Sequence, residues 1–436
     1  MNVTVNASWM KVPTADTEGV LGVRIMSDSP IARAIHIGLV LDTSGSMEGE
    51  RIGAVKRTLS VLIDRLQEGD RISVVGFSNT ATRLFNSYVI NAANKADAIA
   101  AVDKLVADGG TNMEAGIVAL GEMFQPVAGA VADKPNALVL LTDGQVNQGI
   151  VTTAGLASLL RSYLASVPVY TLGYGNDHNA ELLRSISART QAAYTYINNE
   201  IVLPASIGDL LGSLQNEVAS CAAVKFPATG WGCLELNPPV ETGLYEAGSL
   251  IADKPTWIVF SVDFVNRDAP LSLTYKKCGS SDAISVPIII DESLNTVELT
   301  EQFLRCKTAR TLGDVTELLG SGNIAQAKTL LKNCFDLLSG STQTTLVIRM
   351  KAQIDEMLEE VTRVENQTPH RAGRRLNFDA MAMRAASTAQ NYSAQRGVTG
   401  GGTVDAIFSS PAVNRARTQM IEQYTIREDP APAESL

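Results

Sequence analysis

Cysteine and histidine are both scarce in this sequence. The 436 residues include five cysteines, Cys221, Cys233, Cys278, Cys306 and Cys334, and three histidines. The cysteine count is odd, the spacings are wide and no C-x-x-C occurs, so a zinc module is not expected. This usage fits a reducing compartment best. Basic charge is also short, with 36 Lys and Arg against 46 Asp and Glu and a net charge of -10. A general nucleic-acid binder needs a basic face to displace counterions, so that class is disfavoured. The basic stretch "PHRAGRR", 369 to 375, carries His370 but no interleaved aromatics and reads as a solvated linker. No apolar run approaches the ~18 residues that span a bilayer. The opening "MNVTVNASWMKVP" alternates like a strand and does not resemble a signal peptide, so a cytoplasmic protein is expected. Four N-x-[ST] triplets, at Asn2, Asn6, Asn366 and Asn391, are then read as chance. Catalytic signatures are missing as well. Neither G-x-x-x-x-G-K-[ST] nor G-x-S-x-G occurs, and a non-enzymatic protein is expected.

What is present is an alternation. "AIHIGLVL" (34–41), "DRISVVGFS", "NALVLLTDG" and "VPVYTLGYG" are apolar runs of the kind found in strands buried on both faces. Between them the apolar residues fall at helical spacing, as with Ile52, Val55, Leu59, Leu62, Ile63 and Leu66. A helix is expected in "NKADAIAAVDKLVA", with Asn94 or a neighbour as a cap. Strand and helix alternate from 34 to 219, which predicts an α/β fold with a mostly parallel sheet and helices on both faces. From 220 to 292 the texture changes to short strands separated by turns, an antiparallel β-sandwich-like pattern. Strands in 1–33 pair with these if the α/β unit is inserted in, rather than merely flanked by, the β domain. Residues 293–365 return to helical spacing and predict a hairpin or small bundle. Residues 366–436 read as a flexible tail in which 403–427 has enough apolar residues to dock, on a neighbouring subunit or on the β domain. His36 is expected as a hydrogen-bonded core residue and His178 as a loop residue. Trp231, Trp257 and Tyr245 are placed in the β core or at its edge, and the cysteines are read as small buried apolar groups.

Ligands of open α/β sheets collect beyond the carboxyl ends of the strands. Three segments place oxygens there: Asp42, Ser44 and Ser46 in "LDTSGS", Thr111 in "GGTN", and Asp143 in "LLTDG". Taken singly, Ser44, Ser46 or Asp143 reads as a helix cap. Taken jointly, two carboxylates and three hydroxyls form a hard-oxygen set suited to Mg2+, which keeps several waters and takes few protein ligands. A phosphoryl-accepting aspartate fits less well, because the second acidic residue expected two positions later is Ser44.

These three segments, in this order, resemble the metal-ion-dependent adhesion site of von Willebrand factor type A domains, over about 34–219. The resemblance implies metal ligation by Asp42, Ser44, Ser46, Thr111 and Asp143, with Mg2+ as the ion and Mn2+ or Ca2+ as substitutes. It implies a protein partner that offers an Asp or Glu to the metal. Gly45, Gly110 and Gly144 would let the backbone come close, and Asn112 would cap or orient its loop. The flanks resemble those of intracellular multidomain proteins of this type, without a Cys/His array or a Hint-like segment. Two alternatives stand beside this reading. One is a structural subunit or scaffold of a larger assembly, whose tail wraps a neighbour. The weaker is a secreted inhibitor or matrix-type protein.

Overall fold

The computed structural model describes residues 2–11, 18–28, 34–124, 136–164, 167–175, 178–190, 192–198, 201–227, 229–235, 243–263, 269–278, 280, 282–290, 294–367, 381–382, 384–385, 388 and 410–428. His370 and the basic stretch around it lie outside these residues. The chain divides into two compact units. One is formed by Met1–Pro30 with Glu217–Gly401 and Asp405–Phe408. The other is formed by Ile31–Asn216 with Gly402–Val404 and Ser409–Leu436.

The first unit opens with β1 (Val3–Lys11) and β2 (Glu18–Ser27), paired antiparallel. The chain then leaves for the second unit, which holds β3 (His36–Asp42), α1 (Glu50–Arg65), β4 (Arg71–Phe77), β5 (Ala81–Val89), α2 (Lys95–Val102) and α3 (Met113–Met123). After these come β6 (Asn136–Thr142), α4 (Thr153–Leu164), β7 (Val169–Tyr174), α5 (Ala180–Arg189), β8 (Tyr194–Ile197) and α6 (Val202–Gln215). The six strands lie in the order β5-β4-β3-β6-β7-β8. All pairs are parallel except β4 with the edge strand β5. Strand β5 has no counterpart in the sequence reading. Its single buried residue is Phe85, so it lacks the unbroken apolar run that marks β3, β4 and β6. In those three strands every residue after the first is buried, as a sheet covered on both faces requires. His36 is the half-buried first residue of β3, with its Nε2 2.9 Å from Ser73 Oγ and its ring stacked on Phe124.

Helix α6 is buried nearly all round, including Gly208, Asp209 and Gly212. An amphipathic surface helix would leave one face wet. Here that face is covered by α10 (Pro411–Glu428), the last helix among the described residues. Ser410 Oγ accepts from the Val413 N–H, and Pro411 takes the first helical position, where its missing N–H costs nothing. Val413, Arg417, Met420 and Tyr424 form its buried stripe at helical spacing. Arg417 meets Asp209 at 3.3 Å, and Arg57 of α1 donates to the Tyr424 hydroxyl at 2.8 Å. The tail segment expected on a neighbouring subunit or on the β domain thus seats its residues 411–428 on α1 and α6.

In the first unit the chain returns as β9 (Glu217–Lys225), β10 (Trp231–Cys233), β11 (Leu244–Ile251), β12 (Thr256–Asp263), β13 (Leu271–Lys277) and β14 (Ala283–Ile288). Two four-stranded sheets result, β1-β2-β12-β10 and β11-β9-β13-β14. Strand β2 pairs with β12 from Thr256 opposite Ile25 to Asp263 opposite Glu18. The α/β unit is therefore an insertion within this β unit in chain order. Leu21, Ile25, Ile258 and Phe260 of one sheet share a core with Val218, Val224, Leu250 and Leu273 of the other, the layering of a sandwich. Trp231, Trp257 and Tyr245 are buried in this unit. Helices α7 (Thr296–Gly320), α8 (Ile324–Ser339) and α9 (Thr345–Gln367) follow and enclose Leu312, Leu331, Met350 and Ile354. Arg305 of α7, wholly buried, binds Glu235 through both terminal nitrogens at 2.7 and 2.9 Å. The cysteines divide: Cys306 and Cys334 are buried, Cys233 and Cys278 partly so, and Cys221 is exposed, contrary to the expectation that all five are buried. Among the described residues no helix is long and apolar enough to cross a membrane.

Candidate metal centre

Strands β3 and β6 lie side by side in parallel register, His36 opposite Asn136 through Leu41 opposite Leu141. Their carboxyl ends therefore fall together, and this places Asp42 beside Thr142 and Asp143. Both aspartates are fully buried. Asp42 Oδ1 accepts from the Ser44 N–H at 2.8 Å, and Oδ2 accepts from Thr142 Oγ1 at 2.5 Å. Burial is the main cause that raises the Asp42 pKa above the usual carboxylate range. The Ser44 and Thr142 hydrogen bonds oppose that shift, and the charge on Asp143 adds to it.

Between the ends of β3 and α1 the chain makes a single 3-10 turn, Gly45–Met47. Ser44 Oγ lies 3.0 Å from Ser46 Oγ, and Ser46 Oγ donates to Asp143 Oδ1 at 2.7 Å. Neither serine makes a side-chain cap: the turn and α1 both begin without one. Helix α4 begins ten residues after Asp143, which rules out capping there too. The helix-cap alternative thus fails for all three residues.

Thr111 is 4% exposed. Its N–H donates to Asn147 Oδ1 at 2.9 Å, and its carbonyl accepts from the N–H groups of Asn147 and Gln148. A methyl group built on Gly144 would lie 3.7 Å from Ser46 Oγ and 3.8 Å from Thr111 Oγ1. This places Thr111 with the other four residues, so all five expected side chains meet in one place. The Gly45 N–H donates to the Gly109 carbonyl at 3.0 Å and ties the serine loop to the threonine loop. Asn112 caps α3 by accepting from the Ala115 N–H. Asn94 does not cap α2; its Oδ1 accepts from Asn91 N–H instead. Of the glycines expected to permit close approach, only Gly110 is crowded, with Gln148 Nε2 2.6 Å from where a Cβ would stand. Gly45 and Gly144 meet nothing closer than 3.6 Å. His178 lies in the loop before α5, as expected, but is buried there, with Nε2 2.8 Å from the Tyr194 hydroxyl.

Three contributors escaped the sequence reading. Thr142 donates a hydrogen bond to one oxygen of Asp42, and Asn147 holds the Thr111 backbone. Arg51, on the first turn of α1, donates from Nη1 to Asp143 Oδ2 and to the Ser46 carbonyl. A charged residue one turn past the serines carries no motif, although a cation at a helix N-terminus is unusual for its sign.

Among the described residues no cluster of three or more His, Cys, Asp or Glu side chains comes together. Any ion held here would rely on hydroxyls. The donor set fits a hard divalent cation. It joins two buried carboxylates, three hydroxyls and a loop tied by backbone hydrogen bonds, all oxygen and no sulfur or imidazole.

The fold and site define an open α/β domain with a hydroxyl-rich, two-carboxylate centre at the carboxyl ends of its strands. Residues 36–205 match the family model for the von Willebrand factor type A domain, and this part of the chain is such a domain. Domains of this kind are protein-interaction modules. Over 189 residues the chain is 33% identical to the uncharacterized protein sll0103 of Synechocystis, covering 43% of each. Over 168 residues it is 31% identical to the uncharacterized protein YfbK of Escherichia coli, covering 38% of this chain and 28% of that one. The chain thus spans less than half the length of these curated relatives. In fold it is similar to a von Willebrand factor type A protein from Catenulispora acidiphila, with a TM-score of 0.62 at 16% identity, covering 87% of this chain and 96% of the other. It is also similar to the ArnB paralog VWA2 from Sulfolobus acidocaldarius, with a TM-score of 0.52 at 17% identity over 88% and 98%.

Proposed function

We propose that this protein is a non-enzymatic binding module that recognises an acidic residue of a partner protein through a divalent ion, Mg2+ in the first instance. The observation that carries the reading is the convergence of Asp42, Ser44, Ser46, Thr111 and Asp143 at the carboxyl ends of β3 and β6. When bound, the ion supplies an electrophilic point that a carboxylate from outside can ligate. The chain's own part is to hold the oxygens. Asp42 and Asp143 provide the charge, and the three hydroxyls provide neutral ligands that leave the ion short of negative charge. Asn147 and the Gly45–Gly109 hydrogen bond fix the loops that carry them.

The test is calorimetric titration of Mg2+ and Mn2+ into chelator-treated protein, followed by capture of acidic peptides on immobilised protein. Binding in the wild type, with loss of both metal and peptide in Asp42→Ala/Asp143→Ala, is the expected result. A folded wild-type protein that takes up neither ion at millimolar concentration refutes the reading. Peptide capture that survives chelation and the double substitution refutes the metal-dependent half of it.

A further inference from the structure

Arg51 stands in an electrostatically unfavourable place. It is the second residue of α1, where the exposed N–H groups and the helix dipole oppose a cation. Its guanidinium is nonetheless turned onto Asp143 Oδ2. The Asp143 side chain is fully buried, whereas that of Arg51 is one-third exposed. Its Cζ lies 5.9 Å from the centre of the Tyr174 ring, a cation–π distance, and Nη2 lies above Gly175, where no side chain intrudes.

The two oxygens of Asp143 are thus held by different chemistry. Oδ1 accepts from Ser46, a hydroxyl that keeps lone pairs for a second role as metal ligand. Oδ2 accepts from a guanidinium, which has donors only and a full positive charge. A hydroxyl and a divalent ion can share a carboxylate. A guanidinium and a divalent ion on the same oxygen repel each other.

Resting on the metal-binding reading above, we propose that Arg51 is a tethered cation that competes with the divalent ion for Asp143 and so sets the affinity of the site. In this scheme metal entry moves the guanidinium off Oδ2 toward the Tyr174 face, which its Cζ already approaches. Arg51 is a positioning residue in this scheme and never a metal ligand.

The competition can be read from metal affinity without any partner. Mn2+ binding is measured by calorimetry and by the loss of the free-ion electron paramagnetic resonance signal, for the wild type, Arg51→Met and Arg51→Lys. Removing the charge should tighten Mn2+ binding by about two- to fivefold, the upper part of the range expected for loss of one partly exposed competing ion pair. Arg51→Lys should stay within about twofold of the wild type, since it keeps the charge. The gap between wild type and Arg51→Met should narrow as salt is raised, because a competing charge that is one-third exposed is partly screened. If Arg51→Met does not fold, Arg51→Gln decides the matter by the same criterion. Equal or weaker Mn2+ binding in the neutral variants, with the wild type still binding, overturns the competition and leaves the metal reading standing. Absence of Mn2+ binding in every folded variant overturns both.

Discussion

Alanine at Gly208 and Gly212 tests whether α10 is a true layer of the α/β unit. Two effects of opposite sign compete. In a helix interior, Gly→Ala gains about 1 kcal/mol per site through backbone entropy, or about 2 kcal/mol for the pair. Against this stands the packing. A Cβ at 208 would come within 2.6 Å of Arg417 Cα, and one at 212 within 2.8 Å of Val413 Cα and 3.0 Å of Ala416 Cβ. The obstacles are backbone atoms of a helix and a Cβ fixed to it, so no rotamer change relieves them. Comfortable carbon contacts need about 4 Å, and α10 would have to retreat by about 1 Å along its length. Overpacking of this kind costs about 1–3 kcal/mol per site. The retreat also stretches the 3.3 Å pair between Arg417 and Asp209 and the contact of Arg57 with Tyr424. The expected net result is a loss of about 2 kcal/mol, confined to the α6–α10 seam. Hydrogen exchange by mass spectrometry should show faster exchange over 411–428 and little change over β3 and β6. Unchanged protection of 411–428, together with a higher melting temperature, would mean that propensity outweighs packing and that the seam is looser than its geometry states.

Two further predictions concern the β unit. Burial raises the pKa of Glu217 to about 7, against weaker opposing hydrogen bonds from Ser249 and Cys278. The folded state therefore holds its proton more tightly than the unfolded chain, whose value is near 4.5. The resulting stabilisation is full below about pH 4.5, falls as pH rises and is gone above about pH 7, a change of about 3 kcal/mol. Glu217→Gln should flatten the pH dependence of urea midpoints between pH 5 and pH 8; an unaltered slope would show that another group is responsible. Arg305→Met strands the buried Glu235 carboxylate and should cost about 3–5 kcal/mol in urea denaturation, whereas Arg305→Met/Glu235→Leu should recover most of the loss. Equal losses in the single and double variants would contradict this account of the pair.

Much of the α/β unit was legible in the sequence because strands and helices carry short-range signals, whereas the five candidate ligands stood out only jointly, as three segments in a fixed order. Strands β3 and β6 are largely apolar runs, β3 ending in Asp42 and β6 followed directly by Asp143, and the apolar face of α1 repeats at helical spacing. What escaped depends on contacts distant in the chain. The Thr142 side chain is a ligand holder only because β3 and β6 are neighbours, which places it 100 residues away on Asp42. His178 meets Tyr194 across a helix and a turn, and nothing near "GNDHN" foretells that burial. The seat of α10 was the hardest to foresee. Its apolar stripe announces that it docks, but the receiving surface is a pair of glycines on α6, and glycine in a helix reads locally as weakness rather than as a groove.

The balance of hydroxyls and charge at the centre has a consequence for partner choice. Asp42 and Asp143 bring two negative charges and Arg51 one positive, a formal net of -1 for the chain's own groups. In the proposed complex a divalent ion shifts that sum to +1, provided the displaced guanidinium stays within the same small region beside Tyr174. A net positive site roofed by neutral hydroxyls attracts a carboxylate from outside. Replacing Ser44 by aspartate would bring the sum to zero and strengthen the hold on the ion while weakening the attraction for the partner. The same arithmetic separates the two roles of Arg51. Before metal entry its charge opposes the ion, and afterwards it adds to the field that draws the acidic residue. Arg51→Met should therefore bind metal more tightly and an acidic partner less tightly. Opposite changes in the two affinities could not come from general loosening of the site, which would weaken both.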